Sequence, residues 1–578
     1  MTRPFDRYDA FGAALDNPAA SQVLEALVPE VLHSSLAAQL REFPLGPFLE
    51  FALGADRTRA AAVIAALSEI ESTTPPLEES RTVVPRSDCE SGSVPMSSAA
   101  VEVGGGEVNR PVELIFSGPA HGNPFVDVEI AAEFRLDEDP LVVGGFYDGN
   151  GRFVVRFLPP RAGTWRWTTR SNARSLNAIS GEVVVKRSTH PGPVRVVDQF
   201  AFAHANGEVF TPVGTTAYAW IHQPADLQAR TLESLAAAPF NKLRMCVFPK
   251  SFLYNSNEPD DFAFRRRNDG TWDTERFDIE FFRRLEENIV ELDKLGIQAD
   301  IILFHPYDRW GFSRLGRVAD ERYLTYIVRR LSGLPNVWWS LANEYELLTT
   351  KRPEDWHHIA EVVTREDHVG HLLSIHNWSE LFDYTIGWAT HASIQRGDRE
   401  LGQKIDECRY TWGKPVIVDE LGYEGDLDQG WGNLTAEEVV ERFWSATVRG
   451  GYLTHGETFH REDEEIFWSK GGTLVGRSPA RIAFLRRIVA DSPTHRLDPL
   501  PSDWDVPWGG VAGEYCVLYF GAKQPRFRDV SVPAGMNASI ELIDTWNMTI
   551  QQVPGLHEGV TRVYLPTRPY MAIRLRRA

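Results

Sequence analysis

The sequence predicts a mixed α/β protein built on a (β/α)8 TIM barrel, flanked by an N-terminal helical region plus β-sandwich and by a C-terminal β-sandwich. Three patterns predict it. Eight apolar strand-like runs alternate with helix-like runs between residues 199 and 495. On either side, short runs alternate apolar with polar residues between Gly, Pro, Asp and Asn punctuation. The first 70 residues instead repeat apolar side chains at i, i+3, i+4 spacing. The 578 residues suffice for three or four domains at about 150 residues each.

In chain order, SQVLEALVPEVLHSSLAAQL and RTRAAAVIAALSEI make 1–70 helical, with Pro29, Pro44 and Pro47 breaking the run. Residues 71–98 are rich in Ser, Thr, Pro and Glu and read as a linker. VELIFSG, VDVEIAAEFRL, GRFVVRFLPP and GTWRWTTRS make 99–190 an antiparallel, immunoglobulin-like sandwich. The expected barrel strands are 210–219, 242–248, 298–304, 337–343, 372–377, 384–391, 415–420 and 451–457. IEFFRRLEENIVELDKLG and RYLTYIVRRLSGL are intervening helices. EYCVLYFG, ASIELIDTWN, TRVYLP and MAIRLR make 500–578 a small sandwich.

Composition narrows the function classes. The net charge of −20 argues against nucleic acid or an anionic membrane as partner. The 17 Trp, 16 Tyr and 31 Phe suit stacking on sugar C–H faces as well as core packing. No uninterrupted apolar run is long enough to span a bilayer. The opening MTRPFDRYDAFGAALDNPAA lacks a basic-then-apolar leader pattern. Cys89, Cys246, Cys408 and Cys516 are scattered and form no CxxC pair. A cytoplasmic setting is therefore expected, with no cofactor and no metal.

In such a barrel the site lies at the C-terminal strand ends. Those ends carry Tyr218, Trp220 and His222; Arg244; His305, Tyr307, Asp308 and Trp310; Asn343 and Glu344; His376 and Asn377; His391 and Gln395; Glu420, Tyr423 and Glu424; and His455 and Glu457, with Trp468 following. Two carboxylates stand out, because Glu344 closes VWWSLANE and Glu420 closes PVIVDE, each at the end of an apolar strand. Two carboxyls across a cleft suit retaining glycoside hydrolysis, one attacking the anomeric carbon while the other protonates the leaving oxygen. Arg244 is placed to hydrogen-bond the nucleophile and keep it ionised. Glu346, two residues on, is the rival to Glu344. Asp308 and Trp310 read as hydroxyl recognition and stacking; Tyr423 and Glu424 read as substrate contacts.

These residues resemble a family. Asn343-Glu344 and Glu420 look like the acid/base and nucleophile of clan A glycoside hydrolases. FPKSFLYNSNEPDDFAF, LFHPYDRWGF, NVWWSLANEYE, IHNWSELFDY, THASIQ, DELGYEG, THGE and FWSKGG resemble the apiosidase-like branch. GGFYDG with GTWRWTTRS resembles the N-terminal domain of endoglucanase-like and apiosidase-like proteins, and YLPTRPYMAIRLRRA the small β domain after such barrels. The resemblance implies Glu344 as acid/base and Glu420 as nucleophile. It also implies Asn343 bound to the hydroxyl beside the anomeric carbon, Arg244 supporting the nucleophile, and Trp468 as a stacking floor. Tyr345 stands where many members have Pro, and His391 is the nearest candidate where many have a strand-six Tyr.

The expected activity is a retaining glycoside hydrolase acting on an oligosaccharide or small glycoside. Substrate contacts are expected from Trp220, His222, Arg244, His305, Asp308, Trp310, Asn343, His376, His391, Tyr423, Glu424, His455, Glu457 and Trp468. Two alternatives are weaker. A metal-dependent hydrolase on the same barrel lacks an HxH ligand pair, and a non-catalytic carbohydrate-binding protein would not need both carboxylates. The expected partner is a carbohydrate substrate. The N-terminal helices are expected to build a pocket wall or the contact of a homo-oligomer.

Overall fold

The computed structural model describes residues 3–578 apart from 35–36, 38–39, 55, 73–83, 139, 253, 399–400 and 504. The middle of the predicted linker thus lies outside the described residues.

The eight barrel strands are β1 (Val213–Thr216), β2 (Lys242–Cys246), β3 (Gln298–Phe304), β4 (Val337–Ala342), β5 (Leu373–Ser374), β6 (Ala392–Gln395), β7 (Val416–Glu420) and β8 (Tyr452–His455). All neighbouring pairs are parallel, and β8 pairs with both β1 and β7. A single parallel bridge, His376 to Ser393, closes the ring between β5 and β6. Strand six is corrected: residues 384–391 are turns, and the strand begins just after them. The aromatic run misleads because Phe382, Tyr384 and Trp388 pack as a loop cluster rather than on a pleat.

The barrel interior is layered. An apolar floor of Phe202, Phe210, Trp338, Ile417 and Tyr452 plugs the N-terminal end. Above it, Lys242 bridges Asp300 (2.7 Å) and Asp419 (2.6 Å). Arg244 lies beside the same two aspartates (3.2 and 3.3 Å). Two cations thus meet two anions, so the burial of four charges leaves no net charge. This network needs Gly214, where a Cβ would fall 2.4 Å from Thr454 Oγ1 and 3.1 Å from Lys242 Cε.

The other units pack around the barrel. Two four-stranded sheets enclose the core of the N-terminal sandwich, which contains Trp165 and Trp167. That sandwich leans on barrel helices Ile279–Lys294 and Arg317–Leu331 through Arg156 to Glu286 (2.7 Å) and Tyr326 against Phe125. Six strands and a further pair form the C-terminal β unit, where Tyr519 packs on Trp444. The N-terminal helices gather around Phe11, Leu24, Phe48 and Val63. They dock on loops that follow β3, β4 and β5, at the C-terminal mouth. Arg314 meets Glu42 (2.9 Å), Arg352 meets Asp6 (2.9 Å) and Arg7 meets Glu380 (2.6 Å). Trp378 sits between Phe43 and Phe51 (centroids 6.0 and 5.3 Å). The four cysteines are buried and unpaired. Among the described residues, no helix is long and apolar enough to cross a membrane.

Candidate active site

Local backbone irregularities aim the two carboxylates. At the end of β7, Ile394 pairs with Val418 but Gln395 pairs with Glu420, so Asp419 is an extra residue. The bulge lets consecutive side chains turn inward: Asp419 into the Lys242 network, Glu420 onto the Tyr218 hydroxyl. At the end of β4, Glu344 adopts a left-handed backbone (φ 51°, ψ 56°). Such a conformation in a residue other than glycine costs about 1–3 kcal/mol and is characteristic of functional sites.

The first cluster surrounds Glu420. Tyr218 donates to Glu420 Oε1 and stands 3.3 Å from Asn343 Oδ1. His376 Nε2 faces Glu420 Oε1 at 3.5 Å. Burial opposes charging of Glu420, yet His376, the Lys250 ammonium and the Tyr218 hydroxyl pull it down to about 2. Arg244 does not touch Glu420. It donates to Asn343 Oδ1 (2.9 Å) and reaches the nucleophile side only through that amide and Asp419.

The second cluster surrounds Glu344. Burial and the charge of Glu420 push its carboxyl up to about 8, against the opposing pull of Lys250 and the Tyr307 hydroxyl. The Gln395 amide, turned with nitrogen toward acceptors, donates to Glu344 Oε1 (3.2 Å). Between the clusters, Lys250 is caged by aromatic rings, 3.8 Å from the Tyr218 centroid, 4.3 Å from Tyr307 and 5.0 Å from Trp468. Trp468 extends the wall toward Trp431 (5.0 Å) and Tyr423 (5.9 Å).

Two buried amide nitrogens here, Asn343 Nδ2 and Asn377 Nδ2, have no hydrogen-bond partner. Each orphan costs about 1–3 kcal/mol. Donors left open around Glu344 and Glu420 are what a polyhydroxylated ligand would satisfy.

The structure thus gathers Glu344, Glu420, Arg244, Asn343, His376, Tyr423 and Trp468. It places the other expected contacts elsewhere. Trp220 is fully buried and donates to the Gln228 carbonyl (3.2 Å). His222 and His305 bind the Val247 and Phe248 carbonyls (3.1 and 3.0 Å), and burial lowers them to about 4 and about 3. Asp308 organises its own turn by accepting from Trp310 and Gly311 N–H (2.8 and 3.0 Å), and the Trp310 indole donates to Glu258 (2.9 Å). His391 precedes β6, so it sits at the barrel floor against Trp338 (5.4 Å), not at the rim. Glu424, His455 and Glu457 lie behind the rim. Glu424 caps helix Ser478–Ala490 through Arg477 and Ser478 N–H (2.8 and 2.9 Å), and Glu457 accepts from Val475 and Gly476 N–H (2.8 and 2.9 Å). Glu346, the rival carboxylate, spends one oxygen on the N–H groups of Trp378, Ser379 and Glu380 (2.8, 2.6 and 2.8 Å).

Sequence reading missed Lys250, which follows β2 by four residues with nothing but the aromatics around it to hint at a role. Tyr218, Tyr307 and Gln395 stood among the strand ends but received none. The phenol beside Glu420 comes from β1, not from strand six.

The family described as "Apiosidase-like, catalytic domain" matches residues 198–461. A crystal structure of a "putative glycoside hydrolase" from Bacteroides vulgatus ATCC 8482 is 35% identical, covers 82% of this chain and 99% of its own, and superposes with a TM-score of 0.77. This chain is an apiosidase-like glycoside hydrolase. A family 5 glycoside hydrolase from the same organism, 16% identical over 67% of this hydrolase and 93% of its own chain (TM-score 0.52), shares the fold. The flanking β units match two domains of unknown function, DUF5060 over 107–172 and DUF5605 over 504–576. No curated protein matches this hydrolase.

Proposed function

We propose that this hydrolase cleaves a short oligosaccharide or small glycoside with retention, Glu420 acting as nucleophile and Glu344 as acid/base. One arrangement carries the proposal: Glu420 is buried against the Tyr218 hydroxyl and His376, which favour its charge, while Glu344 is buried facing that charge, which favours its proton. In the first step the Glu420 carboxylate bonds to the anomeric carbon while the bond to the leaving oxygen breaks. The Glu344 proton goes to that oxygen. In the second step the Glu344 carboxylate takes a proton from water, whose oxygen displaces Glu420 from the same carbon. Each inversion reverses the other.

The neighbours suit these roles. Arg244 holds Asn343 Oδ1, so its free Nδ2 is oriented to donate to the hydroxyl beside the anomeric carbon. Lys250 offsets the negative charge that appears when Glu344 gives up its proton. The N-terminal helices stand over the loops after β3 to β5 and wall one side of the mouth. That arrangement favours short substrates over polymer interiors.

Two experiments test the reading. Proton NMR of the first-formed product on an aryl glycoside panel should show the anomer of the substrate; the opposite anomer would refute retention. A 2-fluoro glycoside should label the peptide holding Glu420, and labelling at another carboxylate would remove the assignment.

A further inference from the structure

Glu424, His455 and Glu457 are buried just behind the rim, and one ligand-type atom from each lies within 4.8 Å of the others. They come from separate segments: Glu424 from the strand pair Glu424–Gly425 with Glu457–Thr458, and His455 from the end of β8. The imidazole is fully buried and stacks on Phe240 at 4.7 Å. Its Nδ1 meets Thr215 Oγ1 at 3.2 Å. Its Nε2 has no hydrogen-bond partner and is aimed at Glu457 Oε1, 3.9 Å away.

The charge balance is incomplete. Among the described residues no lysine or arginine forms an ion pair with Glu424 or Glu457; their partners are the N–H groups of 475–478 and the Ser478 hydroxyl. A helix N-terminus supplies about half an elementary charge, against two buried carboxylates. The two point at one spot, since a Cβ on Gly476 would lie 2.5 Å from Glu424 Oε2 and 2.5 Å from Glu457 Oε1. Buried carboxylates without a compensating cation are costly.

We propose that Glu424, His455 and Glu457 bind one divalent transition-metal ion. Zinc fits this donor set of one imidazole and two carboxylates, whereas magnesium and calcium favour oxygen alone. The Thr215 hydroxyl fixes the imidazole through its other nitrogen, the usual arrangement behind a ligating histidine. The ion ties the extension after β7, the end of β8 and the start of helix Ser478–Ala490 into one piece. Glu424 and Glu457 bind the backbone of residues 475–478 rather than Glu344 or Glu420, so the ion's role is structural.

The test uses the full-length chain without a histidine tag. It is stripped with EDTA, reloaded with zinc chloride or manganese chloride, and freed of excess ion by dialysis. Elemental mass spectrometry should find a single zinc per chain, and calorimetry a Tm several degrees above that of the stripped protein. His455→Ala and Glu457→Gln should lose the ion and the zinc-dependent part of Tm, while Glu344→Gln keeps both. If the two variants fail to fold, the wild-type titration alone decides. Zinc-loaded wild type that retains no ion overturns the proposal, as does equal retention by His455→Ala. A Tm that follows pH near 7 and ignores zinc also overturns it, because the carboxyls then share a proton.

Discussion

Glu344 and Glu420 are the same residue type, separated in protonation by their surroundings. Both are buried, which raises a carboxyl; the difference is what faces them. Lys250 and a phenol face each of them; Glu420 has His376 in addition, whereas Glu344 has the charge of Glu420. The value of about 8 for Glu344 predicts that kcat/KM falls as pH rises through about 8, measurable on an aryl glycoside whose leaving group needs protonation. Glu344→Gln should lower kcat/KM by about 10²–10⁴-fold on that substrate, and azide should raise its kcat only on a glycoside with an activated leaving group. Its stability should also differ with a definite sign. The unfolded carboxyl ionises near its ordinary 4.5 and the folded one near 8, so wild type loses stability between those values while Glu344→Gln does not. Thermal scans should show the variant more stable at pH 8 and equal to wild type below pH 4; the reverse order would mean Glu344 is not held neutral. Lys250 lowers both carboxyls. Lys250→Met should therefore move the alkaline limb to higher pH and reduce kcat, and an unmoved limb would place Lys250 outside the site.

The rim residues depend on what lies beneath them in the strands. Lys242 and Arg244 alternate with outward-facing Leu243 and Met245, so two cations enter one barrel from one strand. Asp300 and Asp419 arrive from β3 and β7 to meet them. Gly214 on β1 leaves the space that Thr454 and the Lys242 stem occupy. Gly214→Ala should cost about 1–3 kcal/mol by overpacking, read as a lower denaturant midpoint at unchanged m. The run of apolar strands between helices made seven of the eight barrel strands legible to within a few residues. Strand six was misread because Tyr384, Ile386 and Trp388 alternate like a pleat, while the true strand is a short ASIQ run. That slip carried His391 from floor to rim. Asp308 and Glu424 were misread for a different reason: a carboxylate that caps a turn or a helix has the same sequence signature as one that binds a hydroxyl.

Across the whole molecule, the N-terminal helices reach the mouth through a few contacts: the Arg7–Glu380 and Arg352–Asp6 pairs and the Phe43/Phe51 clamp on Trp378. Glu346 holds the backbone of that same Trp378 loop. Its neighbour Tyr345 adds a bond to the Glu380 carbonyl (3.1 Å). Loosening the clamp should therefore be felt at Glu344. Phe43→Ala with Phe51→Ala should raise KM for a short glycoside more than it lowers kcat, and should speed proteolysis within residues 1–70. Unchanged KM would show that the helices pack at the mouth without shaping the pocket.

Sequence alone determined the barrel, the flanking β units and the charge class, and it singled out the carboxylate pair as the candidate catalytic residues. All of these follow from short-range periodicity and from residues that must emerge where an apolar strand ends. Tertiary structure decided which rim residues converge. A bulge at Asp419 and a left-handed Glu344 aim side chains by backbone geometry that residue type does not encode. Lys250, Tyr218 and Tyr307 become neighbours only when the ring closes, and His376 beside Glu420 with the Glu420 charge beside Glu344 separates two chemically identical acids. Long-range electrostatics sets that outcome, and it is a property of distances in space rather than along the chain.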